Sequence, residues 1–411
     1  MWGSQRPTLL LGSQSKYRRP MRKFAARTGA RRGVRGVMAD INDPQTGSER
    51  SSRPSAGPQA CYAALDLGTN NCRLLIATPA AGGFRVVEAF SRIVRLGEGL
   101  SLSGRLDGAA MERALGALTI CAEKIRRRQA VRVRAVATQA CRSAENGAEF
   151  VRRVQRETGI ELKIITPREE AQLSVAGCAT LLDRTADAAL VVDVGGGSTE
   201  LSWVDLRNVS ASGPHPARLP LGAWLSIPVG VVTLAERFPE AEPAGTGWFD
   251  DMVAHVKSHI AAFTHAEPFR ETFARDRAHL IGTSGAITSL AGMHLGLRRY
   301  DRARIDGLWL TRDDCDAAAH KLRKLTVSGR ANEPCIGPDR ADLVLAGAAI
   351  LQAVQDLWPC SRVRVADRGL REGLLLSLMA ERQGRIGRSR RRRRSGGSTS
   401  RRAQVAVAPA E

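Results

Sequence analysis

Apolar positions along the chain follow two rhythms, short aliphatic runs and longer stretches spaced for helices. Runs at 61–67, 73–78, 84–90, 132–138 and 161–165 read as strands. Helical spacing over 108–128 and 145–158, and a helix opening near Pro167, lies between or after them. The rhythm then restarts. Strands at 188–193 and 200–205 precede helical stretches at 230–238 and 248–264, a strand at 278–282, and helices near 285–295, 312–325 and 339–357. The second opening echoes the first, which predicts two related α/β halves. A Leu-rich amphipathic helix over 369–380 comes last. Strands that are aliphatic throughout rather than alternating suit sheets covered on both faces.

Several of these strands end in glycine. Cys61-Tyr62-Ala63-Ala64-Leu65-Asp66-Leu67-Gly68-Thr69-Asn70-Asn71 delivers a carboxylate into a loop of small hydrogen-bonding residues. Val191-Val192-Asp193-Val194-Gly195-Gly196-Gly197-Ser198-Thr199-Glu200 repeats that grammar with three glycines and a second carboxylate. Without a Cβ, glycine lets backbone N–H groups turn toward phosphate oxygens, and a strand-end aspartate can hold a hard cation directly or through water. Asp66 and Asp193 are therefore the candidate Mg²⁺ (or Mn²⁺) ligands, with Glu200 as a further ligand or water-positioner. Leu280-Ile281-Gly282-Thr283-Ser284-Gly285 is again strand, turn and helix start, a place where a helix dipole meets an anion. None of the loops has the Gly-x4-Gly-Lys-Ser/Thr or the Gly-x-Gly-x-x-Gly spacing, which argues against the commoner nucleotide folds. Two Asp-loops followed by a Gly-loop resemble the actin, sugar-kinase and heat-shock ATPase superfamily. The fold class expected is α/β, with two actin-like (ribonuclease H-like) domains about a cleft.

Between the Asp-loops the motifs become more specific. Ala135-Val136-Ala137-Thr138-Gln139-Ala140-Cys141-Arg142-Ser143-Ala144-Glu145-Asn146-Gly147 is strand, turn and helix entry with an arginine at the bend. Pro167-Arg168-Glu169-Glu170-Ala171-Gln172-Leu173 opens a helix. From about Cys61 to Glu381 the chain resembles the exopolyphosphatase and guanosine pentaphosphate phosphohydrolase family. Members of that family read Asp-x-Gly-Ser-Asn-Ser-x-Arg, Ala-Thr-Ser-Ala-x-Arg-x-Ala-x-Asn-Gly, Glu-Glu-Ala-x-Leu and Asp-x-Gly-Gly-Gly-Ser-Thr-Glu in the same order. The segments 94–100, 227–238, Arg340-Ala341-Asp342 and 367–373 agree with it. Departures are Asn71 where members carry Ser, Thr69 for another Ser, and Gln139 and Cys141 in the second motif. The chain has no His-Asp dipeptide and ends soon after the second half, so it resembles the short, two-domain form.

The resemblance implies Glu170 as the catalytic base. Read alone, Glu169 and Glu170 are equally first-turn acids complementing a helix dipole. Phosphate oxygens would be met by Gly68, Thr69, Asn70, Asn71, Arg142, Gly195, Gly196, Gly197, Ser198 and Thr199, and by Gly282, Thr283, Ser284 and Gly285 on the adenosine side of the superfamily's cleft. Arg142 offers a bidentate fork, while Arg73 can instead brace its own loop.

The net charge of +21 suggests a nucleic-acid binder until it is divided along the chain. Residues 1–58 hold 12 Lys or Arg against 3 acids, and 383–411 hold 9 Arg against 1 acid, leaving only +4 between them. Both ends lack apolar periodicity, so disordered extensions flanking domains at 59–184 and 185–382 are expected. The acid-free first 37 residues lack a secretory apolar core; an Arg-rich leader of this kind can imitate an organelle transit sequence, and a start at Met38 is the simpler reading. No stretch of about 18 apolar residues occurs, so no membrane association is expected. Eight scattered cysteines without a Cys-x-x-Cys pair fit a reducing cytoplasm.

The leading expectation is Mg²⁺-assisted release of terminal orthophosphate from inorganic polyphosphate. Hydrolysis of guanosine pentaphosphate and phosphotransfer from ATP are alternative enzymes. A polyphosphate- or RNA-binding regulator using the Arg388–Arg394 tail is the non-enzymatic one. A homodimer is a further open expectation.

Overall fold

The computed structural model describes residues 60–207, 209, 219, 221–240 and 247–381, so the charged ends and the readings placed on them lie outside the described residues. The first sheet comprises β1 (Tyr62–Leu67), β2 (Asn71–Ala80), β3 (Gly83–Ile93), β4 (Arg132–Ala137) and β5 (Leu162–Ile164), in the order β3-β2-β1-β4-β5. β1, β2 and β3 form an antiparallel meander, and β4 and β5 add in parallel on the other side of β1.

The second sheet repeats this plan. β6 (Ala188–Val194), β7 (Thr199–Asp205) and β8 (Leu221–Ile227) form the meander, and β9 (Ala278–Thr283) and β11 (Arg362–Ala366) add in parallel. A short β10 (Trp309–Thr311) closes the edge, giving the order β10-β11-β9-β6-β7-β8. Without that edge strand the two sheets share one topology, which is the doubled actin-like α/β fold.

The periodicity of the chain did not announce β8, β10 or β11. In β11 arginines alternate with buried Val363 and Val365, and the guanidinium groups of Arg362 and Arg364 lie 4.6 and 4.9 Å from the Trp309 ring. Charges stacked on an aromatic face gave that strand a polar appearance.

Helices α1 (Gly108–Arg127) and α2 (Gly147–Thr158) cover one face of the first sheet. Asp107 caps α1 by accepting from the N–H groups of Ala109 and Ala110 at 2.9 and 3.0 Å, and Lys124, Arg126 and Arg127 complement the dipole at the other end. Helix α3 (Pro167–Cys178) follows β5. On the second sheet α4 (Val231–Arg237) packs at the loop end, while α5 (Trp248–Ala261), α6 (Gly285–His294), α7 (Arg312–Arg323) and α8 (Val344–Leu357) bury one face.

The remaining faces are exchanged between the halves. The last helix, α9 (370–381), lays Leu374, Leu375 and Leu378 on the first sheet against Tyr62, Ala64 and Leu75. Each of those leucines is worth about 1.5–3 kcal/mol on burial. Helix α3 in turn covers the second sheet through Val175 and Cys178. The two helices cross on glycine. A Cβ at Gly177 would stand 1.9 Å from the Gly369 carbonyl oxygen, and one at Gly373 would stand 2.0 Å from that of Leu173. This crossing brings the start of α3 and the start of α9 to the floor of one cleft. Among the described residues no helix is long and apolar enough to cross a membrane.

Candidate active site

A cavity of about 340 Å³ lies where the loops after β1, β6 and β9 meet. The first two loops press together. A Cβ on Gly196 would lie 2.9 Å from Thr69 Cβ and 3.0 Å from Asn70 N, and one on Gly197 would lie 2.0 Å from Gln139 Oε1. At Gly196 glycine is required by contact with the opposing loop rather than by backbone angle, whereas the nearest neighbour of Gly197 is the end of the Gln139 side chain. The N–H groups of Thr69, Asn70, Gly196 and Gly197 have no protein acceptor among the described residues. Free amides converging on one cavity form an anion-binding concavity. The third loop brings the start of α6, where Ser284 Oγ accepts from Ile287 N at 3.0 Å.

Four carboxylates face these amides. Asp66 and Asp193 are the penultimate residues of β1 and β6, the central strands of their sheets. Their cross-strand partners are Arg73 and Glu200 respectively. Equivalent places in the two halves thus carry opposite charge. Burial raises Asp66, with Arg73 and Arg371 drawing it back down. Burial likewise lifts Asp193 to about 6. Glu200 is lifted to about 7 by burial and the Asp193 charge, although Ser226 Oγ donates to its Oε1 at 2.8 Å.

The fourth is Glu170, and the structure separates it from Glu169. Pro167 opens α3, and Thr166 Oγ1 caps it by accepting from Glu169 N at 3.2 Å. One turn in, Glu170 is buried and lines the cavity. Glu169 points away, held by Arg134 at 2.8 Å and Lys163 at 3.2 Å. Burial, then Glu200, Asp193 and Asp66, hold the Glu170 carboxyl well above its ordinary range, and Arg142 opposes them.

Most of the residues singled out from the sequence line the cavity: Asp66, Gly68, Thr69, Asn70, Asn71, Glu170, Asp193, Gly195, Gly196, Gly197, Ser198, Glu200, Thr283, Ser284 and Gly285. Three do not. Arg142 sits behind Glu170, donating from Nη1 to Glu170 Oε2 at 3.1 Å and to the Ile165 carbonyl at 2.9 Å. Thr199 is fully buried as the first residue of β7, its hydroxyl donating to the Val229 carbonyl at 2.7 Å. Gly282 lies inside β9, where a Cβ would meet Ile287 Cδ1 at 2.7 Å. Strand register takes the last two out of the loops.

Sequence reasoning gave no site role to the wall on the far side. Arg302, Arg340, Arg368 and Arg371, with Tyr300, line the cavity from the second half and from α9. Arg302 pairs with Asp367 and Glu372, each at 3.2 Å, and Arg368 pairs with Asp306. Arg73, Arg340 and Arg371 make no side-chain hydrogen bond or ion pair among the described residues. Arg340, Arg368 and Arg371 stand in segments that agree with the family pattern, which was the available signal.

The Ppx/GppA phosphatase family pattern matches residues 75–382. The chain belongs to this family. It is 31% identical over 330 residues to "Exopolyphosphatase 2" of Mycobacterium tuberculosis (strain CDC 1551 / Oshkosh), a match covering 77% of this chain and 98% of that one. The crystal structure of the Aquifex aeolicus Ppx/GppA family member is 26% identical, covers 79% of this chain and 99% of its own, and superposes with a TM-score of 0.63. An exopolyphosphatase from Cytophaga hutchinsonii shares the fold with a TM-score of 0.68 at 22% identity, over 78% of this chain and 98% of its own. The chain is accordingly a hydrolase of the phosphatase kind.

Two features of this Ppx/GppA site follow from its own residues. Thr69 and Gln139, both departures from the family motifs, touch each other: Thr69 Oγ1 donates to Gln139 Oε1 at 3.1 Å, and Gln139 Nε2 donates to Ser143 Oγ at 3.2 Å. Also, no three His, Cys, Asp or Glu side chains among the described residues converge closely enough to hold a metal ion unaided. Asp66, Asp193 and Glu200 form no closed cage. They are hard oxygen donors beside a buried Asn70 Oδ1 that has no partner, a set fitted to an ion that keeps waters and shares phosphate oxygens.

Proposed function

We propose that the protein is an exopolyphosphatase that releases orthophosphate from the ends of inorganic polyphosphate. The observation carrying this reading is one cavity that holds both the unpartnered amides of two glycine loops and the buried carboxylate of Glu170. A terminal phosphate seated on Thr69, Asn70, Gly196 and Gly197 has its oxygens neutralised by backbone N–H groups. Asp66 and Asp193 are the carboxylates that would hold Mg²⁺, with Glu200 next to them, and the ion would supply charge neutralisation on the transferred phosphoryl group. Glu170 takes a proton from the attacking water. Its raised titration makes the ionised carboxylate a stronger proton acceptor than an exposed glutamate. Arg142 orients that carboxylate and supports its charged form.

Guanosine pentaphosphate is the second reading. A guanine base asks for a stacking face, and Tyr300 is the sole aromatic among the cavity's lining residues. Arginines dominate the same wall, which favours the inorganic chain.

The test is orthophosphate release from long-chain polyphosphate and from guanosine pentaphosphate side by side, with Mg²⁺. Preferential release from the polymer is expected. Release from the nucleotide alone supports the second reading, and release from neither overturns both.

A further inference from the structure

A second cavity, of about 790 Å³, adjoins the first and shares Asn71, Ser91, Tyr300 and Arg340 with it. It runs between the end of β3 and the turn at 334–340. Its walls carry the guanidinium groups of Arg92, Arg95, Arg113 and Arg340 against a single carboxylate, Asp339. Two of those cations are committed, Arg95 to Asp342 at 2.9 Å and Arg113 to Glu98 at 2.7 Å. The other two are free. The Arg92 and Arg340 side chains have no hydrogen bond or ion pair among the described residues, and Arg92 only leans over the Phe90 ring at 5.5 Å. One comes from each half of the fold. Like charges gathered around a concave surface raise the local concentration of anions, and a guanidinium fork matches a phosphate oxygen pair.

We propose that this groove is a distal subsite that holds the trailing phosphates of an extended polyphosphate chain, with Arg92 and Arg340 as its ligands. The inference rests on the exopolyphosphatase reading and deepens it. Arg340 lines both cavities, so a chain whose terminal phosphate faces Glu170 continues past Arg340 into the groove that Arg92 also lines. An RNA strand would need aromatic platforms for its bases, and Tyr300 is the sole aromatic lining the groove. A polymer of phosphates needs cations at intervals, which the groove provides.

The test compares KM for tripolyphosphate and for long-chain polyphosphate in the wild type and in Arg92→Gln, a change at an exposed position. Loss of one charge-assisted contact predicts that the long-chain KM rises about tenfold more than the tripolyphosphate KM, with kcat within about twofold. An equal change at both lengths, or none, overturns the subsite. Wild-type protein that releases nothing from either substrate overturns the exopolyphosphatase reading instead. In that event calorimetry with the same two polyphosphates decides the groove, since Arg92→Gln must weaken the long chain selectively. A defect confined to single-stranded RNA binding also overturns it.

Discussion

Arg142 Nη1 lies 3.1 Å from Glu170 Oε2, so the carboxylate facing the glycine loops is held by a cation that stays out of the cavity wall. The same nitrogen donates to the Ile165 carbonyl, which anchors it to the strand end just before α3. Asp66, Asp193 and Glu200 all push the Glu170 proton on, and Arg142 is the charge that pushes it off.

A pH profile reads this balance. Glu170 must be ionised to act as base, and its titration sits above the ordinary carboxylate range, so kcat/KM rises with pH through it. Removing Arg142 disfavours the charged form and raises that titration further. The rising limb in Arg142→Ala should therefore move to higher pH, costing about tenfold in rate below the limb per unit moved. A limb that stays in place or moves lower would refute the role given to Arg142.

Gly196→Ala probes the contact between the two loops. The new methyl lands 2.9 Å from Thr69 Cβ and 3.0 Å from Asn70 N, so the loops must separate. Overpacking of this kind costs about 1–3 kcal/mol of stability. Displacing the amides by about 1 Å should cost on the order of 100-fold in kcat/KM. Full activity with an unshifted unfolding midpoint would mean that the loops do not work as one site.

These two cases also show how much was legible beforehand. Asp66, Asp193 and their glycine loops were readable because a strand ending in Asp-x-Gly places carboxylate and amides together within a few residues. Thr199 belongs to such a run of small residues, yet β7 begins one residue before the expected strand and withdraws it, while Gly282 stays within the expected strand 278–282 behind Ile287. Arg302, Arg340 and Arg371 arrive from more than 200 residues downstream of the first loop, the first two from the second half and Arg371 from the start of α9. Nothing local to an arginine tells which cavity it will reach. The family resemblance singled out Glu170 over Glu169, and the physical separation comes from Arg134 and Lys163, which claim the latter.

Metal binding has a readout independent of turnover. Asp66 and Asp193 are the carboxylates assigned to Mg²⁺, and a ligand of the folded state raises its stability by mass action. Added Mg²⁺ should raise the Tm of the wild type and do so much less for Asp193→Asn. An equal rise in both proteins would remove Asp193 from the ion's shell.

Glu236 ties the halves together at the cleft mouth, accepting from Gly99 N at 2.9 Å and from Ser101 Oγ at 2.7 Å beside the Arg95–Asp342 pair. Hydrogen bonds of this kind, one part-buried and one exposed, are worth about 0.5–1.5 kcal/mol each. Glu236→Ala should lower the unfolding midpoint only modestly while raising KM severalfold and speeding hydrogen exchange over Leu100–Ser103. Unaltered KM would show that this latch plays no part in holding substrate.

The most direct test of the whole account is orthophosphate release from long-chain polyphosphate by the wild type and by Glu170→Gln, with Mg²⁺ present and both proteins checked for equal Tm. Glutamine keeps the shape but cannot take a proton, so a loss of about 100- to 10,000-fold in kcat is expected with KM little changed. A Glu170→Gln enzyme that turns over at the wild-type rate would contradict the assignment of the base.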